Sequence, residues 1–265
     1  MKEEKINIII DKEKCASCGM CKADCPLFIL AKQNENASIP PDDCLECGHC
    51  YAVCPQNAIT MKGYEDELNT SDKLKFLNDI DLHTHLKSRR SIRQYKKTPV
   101  EKEKLEKIIE AGRLTPTGSN QQNVRYIVLQ DELEVIEDML LKQYKKLAKL
   151  ASFIGRFIKL PYDVSSYKFE RGFLFHKAPA VILIISPSET NACLAAMNME
   201  LMAETLGLGT LYVGLFTRPA NMNRKLRKLL GIAKKEKIAI CLTVGYASVK
   251  YKRPALRKKA SVIWR

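Results

Sequence analysis

The 265-residue chain has no apolar run approaching the roughly 20 residues of a membrane-spanning helix, and the continuous stretch Ala180–Ser186 is only of strand length. No charged and apolar leader opens it, which predicts a reducing cytoplasmic location and argues against disulfides. Aromatic residues are scarce, at 7% with one Trp, and are not interleaved with the Lys and Arg that give a net charge of +14. Without such a stacking platform the basic balance does not point to nucleic acid. The glycines of Leu206–Gly214 are not framed by a strand and an acidic partner, so they are no dinucleotide fingerprint. Four His and no visible Ser–His–Asp or paired-carboxylate pattern leave the chemistry to a bound group.

Cysteine is what the chain has in abundance. Eight of its ten fall in two copies of one spacing, Cys15-x-x-Cys18-x-x-Cys21-x-x-x-Cys25-Pro26 and Cys44-x-x-Cys47-x-x-Cys50-x-x-x-Cys54-Pro55. Structural zinc prefers two Cys pairs separated by a longer loop. The observed run is that of two [4Fe–4S] clusters, in which the fourth Cys of each run ligates the other cluster. The expected ligands are therefore Cys15, Cys18, Cys21 and Cys54 for one cluster, and Cys44, Cys47, Cys50 and Cys25 for the other. His49, inside the second run, is expected to tune solvent access. The first 62 or so residues resemble bacterial-type two-[4Fe–4S] ferredoxins, with Ile6–Ile10 and Ala58–Met61 as terminal strands and a short helix after each CxxC.

About 200 residues remain, enough for a core of their own. Residues 1–62 carry 7 Lys+Arg against 9 Asp+Glu, and the rest 37 against 21. An acidic module, made more acidic by bound clusters, thus precedes a basic body suited to a phosphorylated cofactor or an acidic redox partner. Three segments are expected: a cluster domain over 1–63, a polar linker over 64–79 with a short helix at most, and a second domain over 80–265. Helices are predicted over Asp79–Lys87, after Thr98-Pro99 (with Leu105, Ile108, Ile109 and Gly112 on one face), over Glu132–Lys159 and over Asn191–Leu206. Strands are predicted over Val124–Gln130, Ala180–Ser186 and Lys237–Tyr246. The absence of a regular βαβ rhythm favours an α+β fold with a mixed sheet flanked by helices over a Rossmann fold. Lys142, Lys145, Lys146, Lys149, Arg156 and Lys159 read as a solvated face. Cys193 and Cys241 read as buried thiols, and nothing marks His176 as catalytic.

Four stretches in order carry a second resemblance: Arg89-Arg90-Ser91-Ile92-Arg93, Pro116–Gln122, Ala196–Gly214 and the strand ending in Gly245-Tyr246. Residues 80–265 resemble FMN-dependent nitroreductases. The resemblance implies that Arg89 and Ser91, with Arg90 beside them, hold the phosphate end of FMN, a task suited to a guanidinium fork. Arg93 would sit at the pyrimidine edge, where a cation raises the flavin potential. Pro116, Thr117, Gly118, Asn120 and Gln122 form a ligand-facing loop, with Asn120 and Gln122 donating to flavin heteroatoms across a dimer interface. Asn123 departs from the family's closing proline. Tyr212, Val213 and Gly214 would lie against the isoalloxazine, with a backbone N–H near Gly214 reaching N5. Arg257 and Lys258 would close the phosphate site, and Val262–Trp264 would pack on the partner subunit.

The two resemblances together imply a homodimeric, soluble oxidoreductase with FMN at the subunit interface. It would receive single electrons through two [4Fe–4S] clusters and reduce a small organic acceptor: a nitroaromatic, a quinone or an activated double bond. The donor is expected to be NAD(P)H or reduced ferredoxin. Two alternatives stay open, a flavin dehydrogenase passing substrate electrons out to ferredoxin and a non-catalytic electron-transfer protein.

Overall fold

The computed structural model describes residues 7–27, 44–62, 78–154 and 168–265. The chain divides into two compact units, one of Met1–Phe76 with Thr117–Gln121 and the other of Leu77–Pro116 with Gln122–Arg265. Most of the expected linker, residues 64–77, lies outside the described residues, as do residue 63 and residues 155–167 with Arg156 and Lys159.

In the first unit, β1 (Asn7–Ile10) pairs antiparallel with β2 (Ile59–Lys62), Ile8 opposite Met61 and Ile10 opposite Ile59. Two one-turn helices, α1 (Met20–Ala23) and α2 (His49–Val53), follow the two CxxC turns. The sequence repeat is also a backbone repeat. Ser17 and Glu46, each two residues after the first Cys of its run, take left-handed φ values of 51° and 54°. Gly19 and Gly48 take φ values of 75° and 74° at the start of each helix, a region that glycine enters without a Cβ penalty. Among the described residues the unit's apolar core cluster is Ile8, Cys50 and Ile59, with four other cysteines packed around them.

The second unit is a four-stranded antiparallel sheet between two helical layers. Its order is β3 (Arg125–Leu129), β4 (Ala180–Ile185), β6 (Ile238–Gly245), β5 (Gly209–Tyr212). The expected mixed sheet is thus antiparallel through its named strands, and the parallel pairing is the isolated bridge of Ser91 with Thr210. Strand β4 alternates between two cores. Ala180, Ile182 and Ile184 face one with helices α4 (Lys102–Arg113) and α6 (Glu189–Thr205); Val181, Leu183 and Ile185 face the other. Helix α5 (Leu133–Ile154), α7 (Gly214–Met222) and α8 (Arg224–Leu229) contribute to the second core. Burial on both faces explains why β4 reads as an unbroken apolar run rather than an alternating one.

Helix α3 (Asp79–Ser88) opens the unit, its first N–H groups capped by Asn78, whose Oδ1 accepts from Ile80 and Asp81. Lys142, Lys145, Lys146 and Lys149 on α5 are exposed. Cys241 is buried in β6 as expected, but Cys193 is exposed. It lies on the outward side of α6 with Leu194 and Met197, whereas Ala192, Ala195, Ala196 and Met199 of the same helix are fully buried. The helix is apolar on both sides but covered on one.

Candidate functional site

Each unit has its own candidate site. In the first, a partly open cavity is lined by Cys25, Cys44, Cys47 and Cys50, together with Ile8, Pro26, Leu27, Leu45, Gly48 and His49. Those four thiols are the crossed quartet expected for one cluster. Among the described residues no three His, Cys, Asp or Glu side chains close on a single-ion point; the thiols instead surround a space, as a four-iron cubane requires.

The cysteines also act on one another electrostatically. Burial raises the Cys44 thiol, and Cys47 and Cys25 act on it in the same direction. Burial likewise raises Cys21, with Cys15 and Cys54 as its thiol neighbours. Cys50, the most buried, is pushed up to about 11 by burial first, with Cys44, Cys47 and Cys21 adding to it. Thiols held protonated in this way must give up protons on binding iron, so cluster binding and proton release are coupled. Two backbone donors already point at sulfur: Glu46 N–H donates to Cys44 Sγ at 3.2 Å and Ala58 N–H to Cys54 Sγ at 3.3 Å.

In the second unit the arginine run lies along the edge strand β5. Ile92 N–H donates to Thr210 O at 2.8 Å and Ser91 bridges Thr210. Gly209 permits this close approach, because a Cβ at that position would come within 2.3 Å of Ile92 Cγ1. Arg89 donates to Glu200 Oε1 at 2.6 Å, and the Thr210 hydroxyl reaches the same oxygen at 3.3 Å. Glu200 is only 1% exposed and its Oε2 makes no hydrogen bond. The Glu200 hydrogen bond holds the Arg89 guanidinium above its ordinary value. Burial, then the Glu200 carboxylate, pushes the Tyr212 phenol well above its own. Arg90 stacks over the Tyr251 ring at 5.1 Å and donates to Arg253 O at 3.1 Å, which ties the run to the start of the tail. Its Nε is buried with no partner.

Arg93 is exposed. It lies close enough to His176 to reinforce burial in lowering that imidazole below its ordinary value. Gly214 is the exposed first residue of α7, preceded by Val213, which supplies no side-chain cap. Helix N-termini present free N–H groups and favour negative charge. Beside it, the Tyr144 hydroxyl of α5 donates to Leu215 O. Tyr144 stacks on Phe169 at 5.5 Å, and Phe173 packs edge-on to both rings. This places aromatic residues of the 132–176 region at the mouth of α7.

The arginine run, β5, Gly214 and the tail's beginning therefore converge, while Arg257 and Lys258 lie farther along an exposed tail. Of the expected flavin loop, Pro116 and Gln122 belong to the second unit but Thr117, Gly118 and Asn120 to the first. The Asn120 amide, expected to donate to a flavin, donates instead to Leu45 O at 3.0 Å and Glu46 O at 2.9 Å. Sequence reasoning missed Glu200 and the nearness of His176 to Arg93. A Glu at the centre of the apolar run Asn191–Leu206 was the available signal for the first; the second had none.

Residues 86–246 match the nitroreductase family and residues 7–70 the 4Fe-4S dicluster domain. The chain belongs to the nitroreductase family, as an oxidoreductase with a dicluster ferredoxin domain at its N-terminus. A protein of Archaeoglobus fulgidus that carries the name NADH dehydrogenase/NAD(P)H nitroreductase is 28% identical over 169 residues, 60% of this chain and 81% of that one. An iodotyrosine deiodinase of Nematostella vectensis is 26% identical over 219 residues, 74% of this chain and 78% of its own. Among solved structures, the FMN-bound nitroreductase of Bacteroides fragilis superposes with a TM-score of 0.55 at 20% identity, covering 71% of this chain and all of that one. Among the described residues no helix is long and apolar enough to cross a membrane.

Proposed function

We propose that the protein takes electrons one at a time into two [4Fe–4S] clusters and passes them to FMN, which reduces a small organic acceptor. The observation that carries this reading is the cavity walled by Cys25, Cys44, Cys47 and Cys50, in a chain whose other unit is of the nitroreductase family. A flavin enzyme that drew only on nicotinamide would have no use for such a site. The cluster ligands are Cys15, Cys18, Cys21 and Cys54, and Cys44, Cys47, Cys50 and Cys25.

FMN, when bound, supplies the exchange between single electrons and a hydride. The chain's own residues bind and orient it. Arg90, Ser91 and Arg93 supply cation and hydroxyl on one rim, with Gln122 on the loop and Arg257 and Lys258 at the phosphate. Arg89 is held by Glu200, so it contributes direction rather than net charge. Tyr212, Val213 and Gly214 would lie beneath the ring, and the backbone at the start of α7 would offer N–H donors to its electron-rich edge. Tyr144, Phe169 and Phe173 supply an apolar wall at which an aromatic acceptor can be shielded from water. The outward Leu194 and Met197 of α6 and the exposed Val262, Ile263 and Trp264 of the tail suit a homodimer.

Anaerobic stopped-flow reduction of the purified protein with NADH, NADPH and reduced ferredoxin, run in parallel, tests the direction of flow. Cluster bleaching that precedes flavin bleaching with ferredoxin is the expected result. If no donor reduces the flavin while a substrate does, the protein is a dehydrogenase discharging through its clusters.

A further inference from the structure

We infer that Asn120 is a positioning residue for the second cysteine run, holding the peptide whose N–H bonds the Cys44 sulfur and thereby setting the potential of the cluster at that sulfur. The inference rests on the cluster reading above.

Between the ligands Cys44 and Cys47 lie only two residues, and both of their carbonyls are taken by one side chain. Asn120 Nδ2 donates to Leu45 O at 3.0 Å and to Glu46 O at 2.9 Å. The first of these carbonyls shares its peptide plane with the Glu46 N–H, which points the opposite way and donates to Cys44 Sγ at 3.2 Å. In a trans peptide the two ends cannot turn independently. Fixing the oxygen therefore fixes the hydrogen on sulfur, and drawing on the oxygen makes that hydrogen a better donor. The second carbonyl belongs to the peptide that leads directly into Cys47.

The turn needs such a hold. Glu46 sits at φ 54°, a left-handed conformation that a non-glycine residue adopts at some expense. Asn120 is itself left-handed at φ 50°, a region asparagine tolerates better than most residues. Leu45, one of the two clamped residues, lines the cavity with Cys44 and Cys47. Hydrogen bonds to cluster sulfurs stabilise the reduced, more negative state and raise the potential, and outer partners orient a metal site's ligands. The first run, built on the same spacing, is an internal control, since Asn120 acts on the second.

The test is a redox titration of the intact protein followed by EPR, with iron counted for each variant. Asn120→Gly removes the amide while keeping the left-handed backbone accessible; Asn120→Asp puts acceptors where donors stood. Both variants should lower the midpoint potential of one cluster and leave the other unchanged. The larger shift is expected for the Asp variant, up to roughly tenfold in the reduction equilibrium, or about 59 mV for a one-electron couple. Should the Asp variant lose iron, the Gly variant must release iron from one cluster faster than wild type under chelator challenge. Unchanged potentials and release rates in both variants, or equal shifts in both clusters, overturn the role given to Asn120. Wild-type protein holding fewer than two clusters after anaerobic reconstitution overturns the cluster reading itself, a failure visible before any variant is made.

Discussion

The two units of this chain are stabilised by different means. The second has a strand, β4, in which every residue from Ala180 to Ile185 is buried, and apolar cores on both faces of its sheet. Among its described residues the first has two short strands, two one-turn helices and a buried core cluster of three residues, one of them a cysteine. A core cluster that small offsets little chain entropy by itself, which makes bound iron–sulfur clusters the expected staple. We expect the first unit's cysteines to be structural as well as electronic, with iron binding coupled to folding of that unit and the second unit's fold less sensitive to loss of iron.

The sharpest way to break this contrast is to remove the iron. Stripping the clusters with a chelator under oxidising conditions, or replacing Cys47 by Ser, should abolish amide protection at Ile8–Ile10 and Ile59–Met61. Protection across Ala180–Ile185 and Ile238–Gly245 should remain. Hydrogen exchange followed by mass spectrometry reads both regions in one experiment. Retained protection in the first unit after complete loss of iron would show that its small core suffices.

Within the second unit, Glu200 is a buried carboxylate paired with the partly exposed Arg89. Arg89→Met leaves Glu200 as an uncompensated carboxylate inside protein, and removing one partner of a buried pair costs about 3–5 kcal/mol. Urea unfolding of the flavin-free protein should show that loss in the transition of the second unit. Arg89→Met combined with Glu200→Leu should recover much of it, because a matched apolar pair avoids the desolvation of both charges. An equal loss in the single and double variants would mean that packing of the Arg89 stem, not its charge, is what matters.

A smaller effect separates close packing from charge at the same edge. In Gly209→Ala, the added Cβ would press on Ile92 Cγ1 at 2.3 Å. Overpacking of this kind costs about 1–3 kcal/mol, and it should displace the arginine run from β5. The readout is weakened FMN binding in a fluorescence titration, with the first unit's clusters unaffected.

Much of this contrast is legible in the sequence, for reasons that differ by region. The cysteine spacing encodes ligands locally, because each run places three thiols within seven residues. The strands and longer helices follow from apolar periodicity, and β4 was recognisable by its unbroken run. Helix α7 was not, because it starts at Gly214 without a side-chain cap and contains Pro219, both signs of a loop. The partners of Asn120 and Glu200 were invisible for another reason. Asn120 meets Leu45 across 75 positions and Glu200 meets Arg89 across 111, and no spacing rule reports a contact that only tertiary folding creates.

His176 offers the finest probe of the second unit's charge. Burial lowers its pKa below the ordinary 6.5, and the Arg93 cation lowers it further. Glu137 acts in the opposite direction, while its carboxylate accepts from the Gly172 and Leu174 N–H groups at 2.8 Å. A base whose folded pKa is depressed binds its proton less readily in the folded state than in the unfolded one. Stability at this site is therefore present above the unfolded value and is lost as pH falls through 6.5 toward the folded pKa. Arg93→Gln removes the second cause and leaves the first, so the imidazole should titrate higher than in wild type but still below an exposed histidine. NMR titration of the His176 ring proton measures the shift directly. The variant should also lose less stability on mild acidification than wild type does. An unchanged His176 titration would mean that the Arg93 charge is screened by solvent, and would remove His176 as a reporter of the flavin rim.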